Sequence, residues 1–430
     1  MKRLAWFALA LVASCRADQL AYEEVPVTVS ANEVWGGTPL VFTSAAFTGV
    51  DSVPLLVTAG PETLQVSSAG VNAFAVIMPQ NDGFYTLDVT LHEGERMTPV
   101  DIRVHGFLSG SQGPRVSGRV QPVAGFSNPT GIVFMDRRLA VFNLKTGTAV
   151  PLGSPSDTGF GSGCSTGVIP AATNPLVVTV SRPGTPSVPC QVYAVTIGSA
   201  LTFLDSSQVS TGFADASIYL GSGRWVIGRK NASIVITGPG VSYDDGCTGA
   251  RGMVAAPPPA YLVVPIACFR QGGVPVWDPR TGLHAYVLDH VGSVDAAAFS
   301  EAGDTLFIGA RGSGSSPDVW LFVVDAATGA IRDSVSLPFF ADQGAYSDIA
   351  VDPNGRWLYV AHSSFGGSIT VSVFDRATLG AVATLRTGNF SAYPFWLWRL
   401  VVGADRVLYL ATTELSPDNG SMVYRWSLMP

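Results

Sequence analysis

Charge is scarce in this sequence. Of 430 residues, 13% are Asp, Glu, Lys or Arg, and only three are lysine: Lys2, Lys145 and Lys230. No basic cluster exists that could neutralise a run of phosphates, which argues against a nucleic-acid partner. Beyond the N-terminus no apolar run approaches the roughly 18 residues of a membrane-spanning helix. The G-x-S-x-G elbow, H-E-x-x-H, the Walker loop and the EF-hand loop are missing. The glycine-rich "GFGSG" (159–163) lacks the third glycine of a dinucleotide loop and precedes no helical pattern. No C-x-x-C occurs, so a zinc or dithiol site is not indicated. Histidine is rare too. His92 and His105 fall in strand-like stretches, and His284 and His362 sit beside strand ends with no acidic partner nearby in sequence. These absences leave no catalytic residue, metal ligand or cofactor to name.

What is abundant is turn-forming and apolar: 47 glycines, 29 prolines and 47% hydrophobic residues. That is the composition of an all-β protein rather than of a disordered chain. At the N-terminus, Lys2 and Arg3 precede an uninterrupted apolar run from Leu4 to Val12. As a helix this run is about 14 Å long, half a bilayer core and the size of a signal-peptide core. Small residues then lead to a cysteine: Val12, Ala13, Ser14, Cys15. The stretch resembles the lipobox of bacterial lipoproteins. That resemblance implies cleavage after Ser14, acylation of Cys15, and a chain tethered in the bacterial cell envelope, at the outer membrane or the periplasmic face. An ordinary secretory signal cut after Ala17 is the alternative. Removal of 1–14 takes two positive charges away, moving the formal net charge from −7 to −9. Residues 15–25 then form the lipidated tether.

From 26 to 107 the sequence alternates in strand fashion, most clearly in "TPLVFTSAAF" (38–47), "FAVIMP" (74–79) and "FYTLDVTLHEG" (84–94). The rhythm predicts an immunoglobulin-like sandwich. More specifically, Gly36, Gly37, Thr38 and Phe47, followed by Pro79, Gly83, Tyr85, Leu87 and Val89, resemble the TIG/IPT family. The glycine usual before the aromatic is replaced, with Thr43 and Ser44 in its place. Such modules imply a spacer or a binding unit.

From 108 to 430 the chain repeats. "VFNLKTG" (141–147), "VWDPRTG" (276–282), "VVDAATG" (323–329) and "VFDRATLG" (373–380) share an apolar strand, an Asp or Asn, and a Thr-Gly or Thr-Leu-Gly turn. The acid or amide caps the turn through its own side chain and glycine supplies a positive φ. Measured at the Asp or Asn, the intervals are 135, 47 and 50 residues. The long interval holds two weaker copies, "VYAVTIGSAL" (192–201) and "SIVITGPG" (233–240). "RWLYVA" (356–361) and "RVLYLA" (406–411) repeat the period, and "MVYRWSL" (422–428) completes seven units of about 46 residues. Four-stranded units at this spacing predict a seven-bladed β-propeller, with eight blades the neighbouring count. The last unit lacks an outer strand, and "PRVSGRVQP" (114–122) is predicted to supply it.

Within these repeats, "DIAVDPNGRWLYVAH" (348–362) with "ITVSVFDRATLGAVATL" (369–385) resembles the YVTN-type repeats of exported propellers. "LDHVGSVDAAAFSEAGDTLFIGA" (288–310) resembles a divergent WD repeat, which implies a structural role for His290. "VVDAATGAIRDS" resembles a quinoprotein-type repeat without its tryptophan. The remaining cysteines, Cys164, Cys190, Cys247 and Cys268, form an even set that suits two disulfides in an oxidising compartment. On a propeller, Cys164 and Cys247 precede first strands, while Cys190 and Cys268 lie near second-to-third strand loops on the same face. Pairing 164 with 190 and 247 with 268 then closes loops worth about 3 kcal/mol each. The other two pairings stay open.

Two outer-to-first strand loops mix aromatic and polar residues: "FFADQGAYSD" (339–348) and "NFSAYPFW" (389–396). Tyr346, Asp348, Phe390 and Tyr393 are the expected ligand-binding face. Asp295, Asp348, Asp244 and Asp245 are the acids expected on the channel side. The functional expectation is a lipid-anchored extracytoplasmic binding or scaffold protein whose partner is a cell-envelope protein or glycan. The alternative is a propeller hydrolase or lactonase holding a channel metal.

Overall fold

The fold is taken from a computed structural model. It describes residues 26–45, 56–70, 72–79, 83–91, 95–96, 99–105, 116–117, 120–123, 130–135, 138–151, 166–168, 176–182, 190–197, 201–209, 214–229, 234–238, 241–245, 252–257, 260–266, 273–312, 319–337, 348–352, 356–363, 369–386, 395–403, 405–414 and 420–427. Its elements are strands throughout, and the chain divides into two compact units between Phe107 and Leu108.

The first unit is built from two sheets. One has the order Thr28–Val29, Pro39–Thr43, Ala73–Ile77, Val66–Gly70. The other runs Glu33–Trp35, Val100–His105, Gly83–Leu91, Leu56–Ala59, Glu62–Leu64, with Glu95–Arg96 paired to Gly83–Leu91. Alternation sets the packing: in Pro39–Thr43, Leu40 and Phe42 point inward while Pro39 and Thr43 are exposed. Leu40, Phe42, Phe74 and Val76 from one sheet share a core with Val57, Leu87, Ile102 and Val104 from the other. Phe42 and Phe74 are cross-strand partners whose rings stack with centroids 4.9 Å apart. Such a pair adds about 0.5–1.5 kcal/mol beyond the area it buries. The Gly-Gly-Thr segment has a mechanical reason. Gly37 takes φ +80° as the chain leaves Trp35, and its amide donates to the Met78 carbonyl across the fold at 2.9 Å.

The second unit contains seven four-stranded antiparallel sheets among the described residues. Sheet one is Val120–Val123, Thr130–Met135, Arg138–Asn143 and Ala149–Pro151. Sheet two is Thr166–Val168, Leu176–Arg182, Cys190–Ile197 and Leu201–Val209. Sheet three is Ala214–Gly221, Arg224–Arg229, Ile234–Gly238 and Val241–Asp245. Sheet four is Gly252–Ala255, Val263–Ile266, Val274–Asp278 and Leu283–Leu288. Sheet five is Val291–Phe299, Thr305–Gly312, Val319–Asp325 and Ile331–Leu337. Sheet six is Asp348–Val351, Trp357–Ser363, Ile369–Asp375 and Ala381–Arg386. Sheet seven takes Phe395–Val402, Val407–Glu414 and Gly420–Ser427 from the end of the chain and Val116–Ser117 from before sheet one. The first strands approach one another in succession, and the first strand of sheet seven returns to that of sheet one. Core clusters span sheets four and five, five and six, and seven and one.

The expected outer strand at 114–122 is divided. Val116–Ser117 pairs antiparallel with Gly420–Ser427, whereas Val120–Val123 opens sheet one. One short stretch thus serves both the last sheet and the first.

The repeated turns share one construction. Asn143 Oδ1 accepts the amides of Lys145 and Thr146 at 2.8 and 3.0 Å. Asp325 Oδ1 accepts those of Ala327 and Thr328, and Asp375 Oδ1 those of Ala377 and Thr378, all at 2.9–3.0 Å. Asp278 Oδ1 accepts the Arg280 amide at 3.0 Å. The fifth residue is left-handed in every case: Gly147 at φ +75°, Gly282 at +72°, Gly329 at +76° and Leu379 at +52°. The fourth turn departs from the glycine expectation. Leu379, not Gly380, takes the positive φ, and its side chain is buried in the core between sheets five and six. The burial of that side chain opposes the steric cost of the conformation, about 1–2 kcal/mol for a residue with a Cβ.

The acid in this turn makes stability pH-dependent. Asp325 is held at about 2 by hydrogen bonds from the Arg332 guanidinium and from Thr328. Asp278 is lowered through Arg280, and Asp304 through the Ser300 hydroxyl. A depressed carboxylate stabilises the fold above its unfolded value and loses that contribution as pH falls towards its folded value. The denaturation midpoint is therefore expected to fall between about pH 4 and pH 2. Asp325→Asn should keep the turn, as Asn143 does naturally, and flatten part of that slope in acid titrations followed by circular dichroism.

The second repeated signature fills the sheet interiors. Tyr359 and Tyr409 are fully buried at equivalent places in sheets six and seven, and Phe307 fills that place in sheet five. The Tyr409 hydroxyl donates to Asp405 at 2.6 Å, and burial followed by that acid raises its pKa. His290 is a correction. Its side chain is 74% exposed and lies 3.3 Å from Asp289 in the turn between sheets four and five, so it does not act inside a sheet.

Candidate functional site

The two aromatic–polar segments do connect an outer strand to the next first strand: Ile331–Leu337 to Asp348–Val351, and Ala381–Arg386 to Phe395–Val402. Tyr346, Phe390 and Tyr393 lie outside the described residues, as do Cys15, Cys164, Cys247 and Cys268. Cys190 begins the third strand of sheet two.

Asp348 is the member of the expected face that the structure places. It opens the first strand of sheet six, is 7% exposed, and its Oδ2 accepts the Leu400 amide of sheet seven at 2.7 Å. One carboxylate oxygen thus ties the start of the first strand of sheet six to the latter half of the first strand of sheet seven. A charge-assisted hydrogen bond in such a buried place is strong, and its loss strands an amide. Asp348→Ala is expected to cost about 1–3 kcal/mol in urea denaturation, and Asp348→Asn less, because an amide oxygen still accepts.

Asp295 also belongs to a first strand. It is half-buried and sits where the pairing of Val291–Phe299 with Thr305–Gly312 slips between Val294 and Ala296, the bulge that lets its side chain leave the regular alternation. Asp244 and Asp245 do not join it. Both lie on Val241–Asp245, the outer strand of sheet three, at the edge farthest from the first strands. They were expected on the channel side, and the strand order overturns that placement. His284 packs edge-on to buried Trp277, with ring centroids 4.1 Å apart. Among the described residues no group of three or more His, Cys, Asp or Glu is placed to hold a metal ion.

Sequence reasoning missed the bond from Leu400 to Asp348. The signal available was positional: an acid at the start of a first strand, next to a repeat whose equivalent strand presents a backbone amide.

No family profile matches the chain, and no curated protein matches it. Solved structures do. A chain in a structure described as "Crystal Structure of Mitotic Checkpoint Complex" aligns with a TM-score of 0.50 at 13% identity. The match covers 75% of this chain and 93% of that one. At this identity the likeness concerns the fold alone, and it supports a β-propeller-like architecture.

Proposed function

We propose that the protein is a lipid-anchored, extracytoplasmic scaffold whose propeller holds a cell-envelope protein or glycan. Cys15 is the anchor, residues 26–107 form an immunoglobulin-like spacer, and residues 108–430 form a propeller of seven blades. Tyr346, Phe390 and Tyr393 face the partner, with Asp348 bracing the strands beneath them. Disulfides join Cys164 to Cys190 and Cys247 to Cys268. The observation that carries the reading is the closed succession of seven four-stranded sheets, with Asp348 spent on tying one first strand to the next. A rigid ring with aromatic-rich connections on its rim suits recognition of a large partner. The resemblance to a propeller chain that belongs to a multiprotein complex supports the same use.

Chemical crosslinking in intact source cells, followed by purification and mass spectrometry, tests this. A reproducible stoichiometric partner crosslinked through 338–347 or 387–394 supports the scaffold. No partner, together with a co-purifying cation, favours the hydrolase. The same spectra read the N-terminus: acyl chains on Cys15 support the anchor, and an unmodified N-terminus at Asp18 refutes it.

A further inference from the structure

We draw no further inference here: the strongest candidate, the exposed apolar side chains Leu283 and Val287 on the outer strand of sheet four, makes no common docking surface, because the bulge at Ala285 turns them to opposite faces of the sheet and nothing in the structure shows what covers either face.

Discussion

Gly329→Ala is expected to destabilise the second unit by about 2–5 kcal/mol, as read from the urea midpoint. Two costs combine. Gly329 holds φ +76°, a conformation that costs a residue with a Cβ about 1–2 kcal/mol. The added methyl would also lie 2.5 Å from Cδ2 and 2.8 Å from Cγ of Tyr286, on the outer strand of the preceding sheet. That ring is half-buried, so it has little room to withdraw, and overpacking of this kind costs about 1–3 kcal/mol. Gly221→Ala separates the two. Gly221 has φ +85° and nothing within 4 Å of the would-be Cβ, so its substitution should show the backbone cost alone. Equal losses at 329 and 221 would mean that the outer strands do not pack as described.

Phe142→Ala is expected to cost about 3–5 kcal/mol, the range for a buried aromatic that leaves a cavity. Phe142 belongs to sheet one and is fully buried, yet Val401, Tyr409, Ala411 and Val423 in its cluster all belong to sheet seven. It therefore measures the contact between the first sheet in the sequence and the last. Phe307, fully buried between sheets five and six, is the interior comparison. A ring has no end sheet, so Phe142→Ala and Phe307→Ala should cost about the same. In an open stack the end repeats are the weakest, and Phe142→Ala would then be far milder. Urea denaturation of the two variants, scored by midpoint at unchanged slope, decides between them.

Much of this was legible from spacing. The turn signatures at Asn143, Asp278, Asp325 and Asp375 all fall at the end of a third strand, and the two weaker copies at 192–201 and 233–240 fall on third strands as well. A turn writes itself into sequence because its chemistry is local: a side-chain oxygen two or three residues from the amides it caps, then a left-handed residue. Leu379 escaped that reading because its conformation depends on a core contributed by another sheet. The site was less legible for the same reason. Asp348 looked like a ligand contact because an acid next to aromatics is ambiguous in one dimension, and its partner, the Leu400 amide, lies in the next repeat. Asp244 and Asp245 were misplaced because interval counting gives the repeat but not the strand within it.

The central claim is that Val116–Ser117 closes the ring against Gly420–Ser427. It is tested most directly by paired substitutions across the register, Val116→Cys with Ser421→Cys and Ser117→Cys with Gly420→Cys. One of the two is a non-hydrogen-bonded pair, where facing side chains lie closest. Under mild oxidation that variant should form the new cross-link near-quantitatively in native protein, found by mass spectrometry of the linked peptides. Because the link spans most of the second unit, its unfolding midpoint should rise. Native protein in which all four introduced thiols stay free to alkylate, with unchanged midpoints, would contradict the closure.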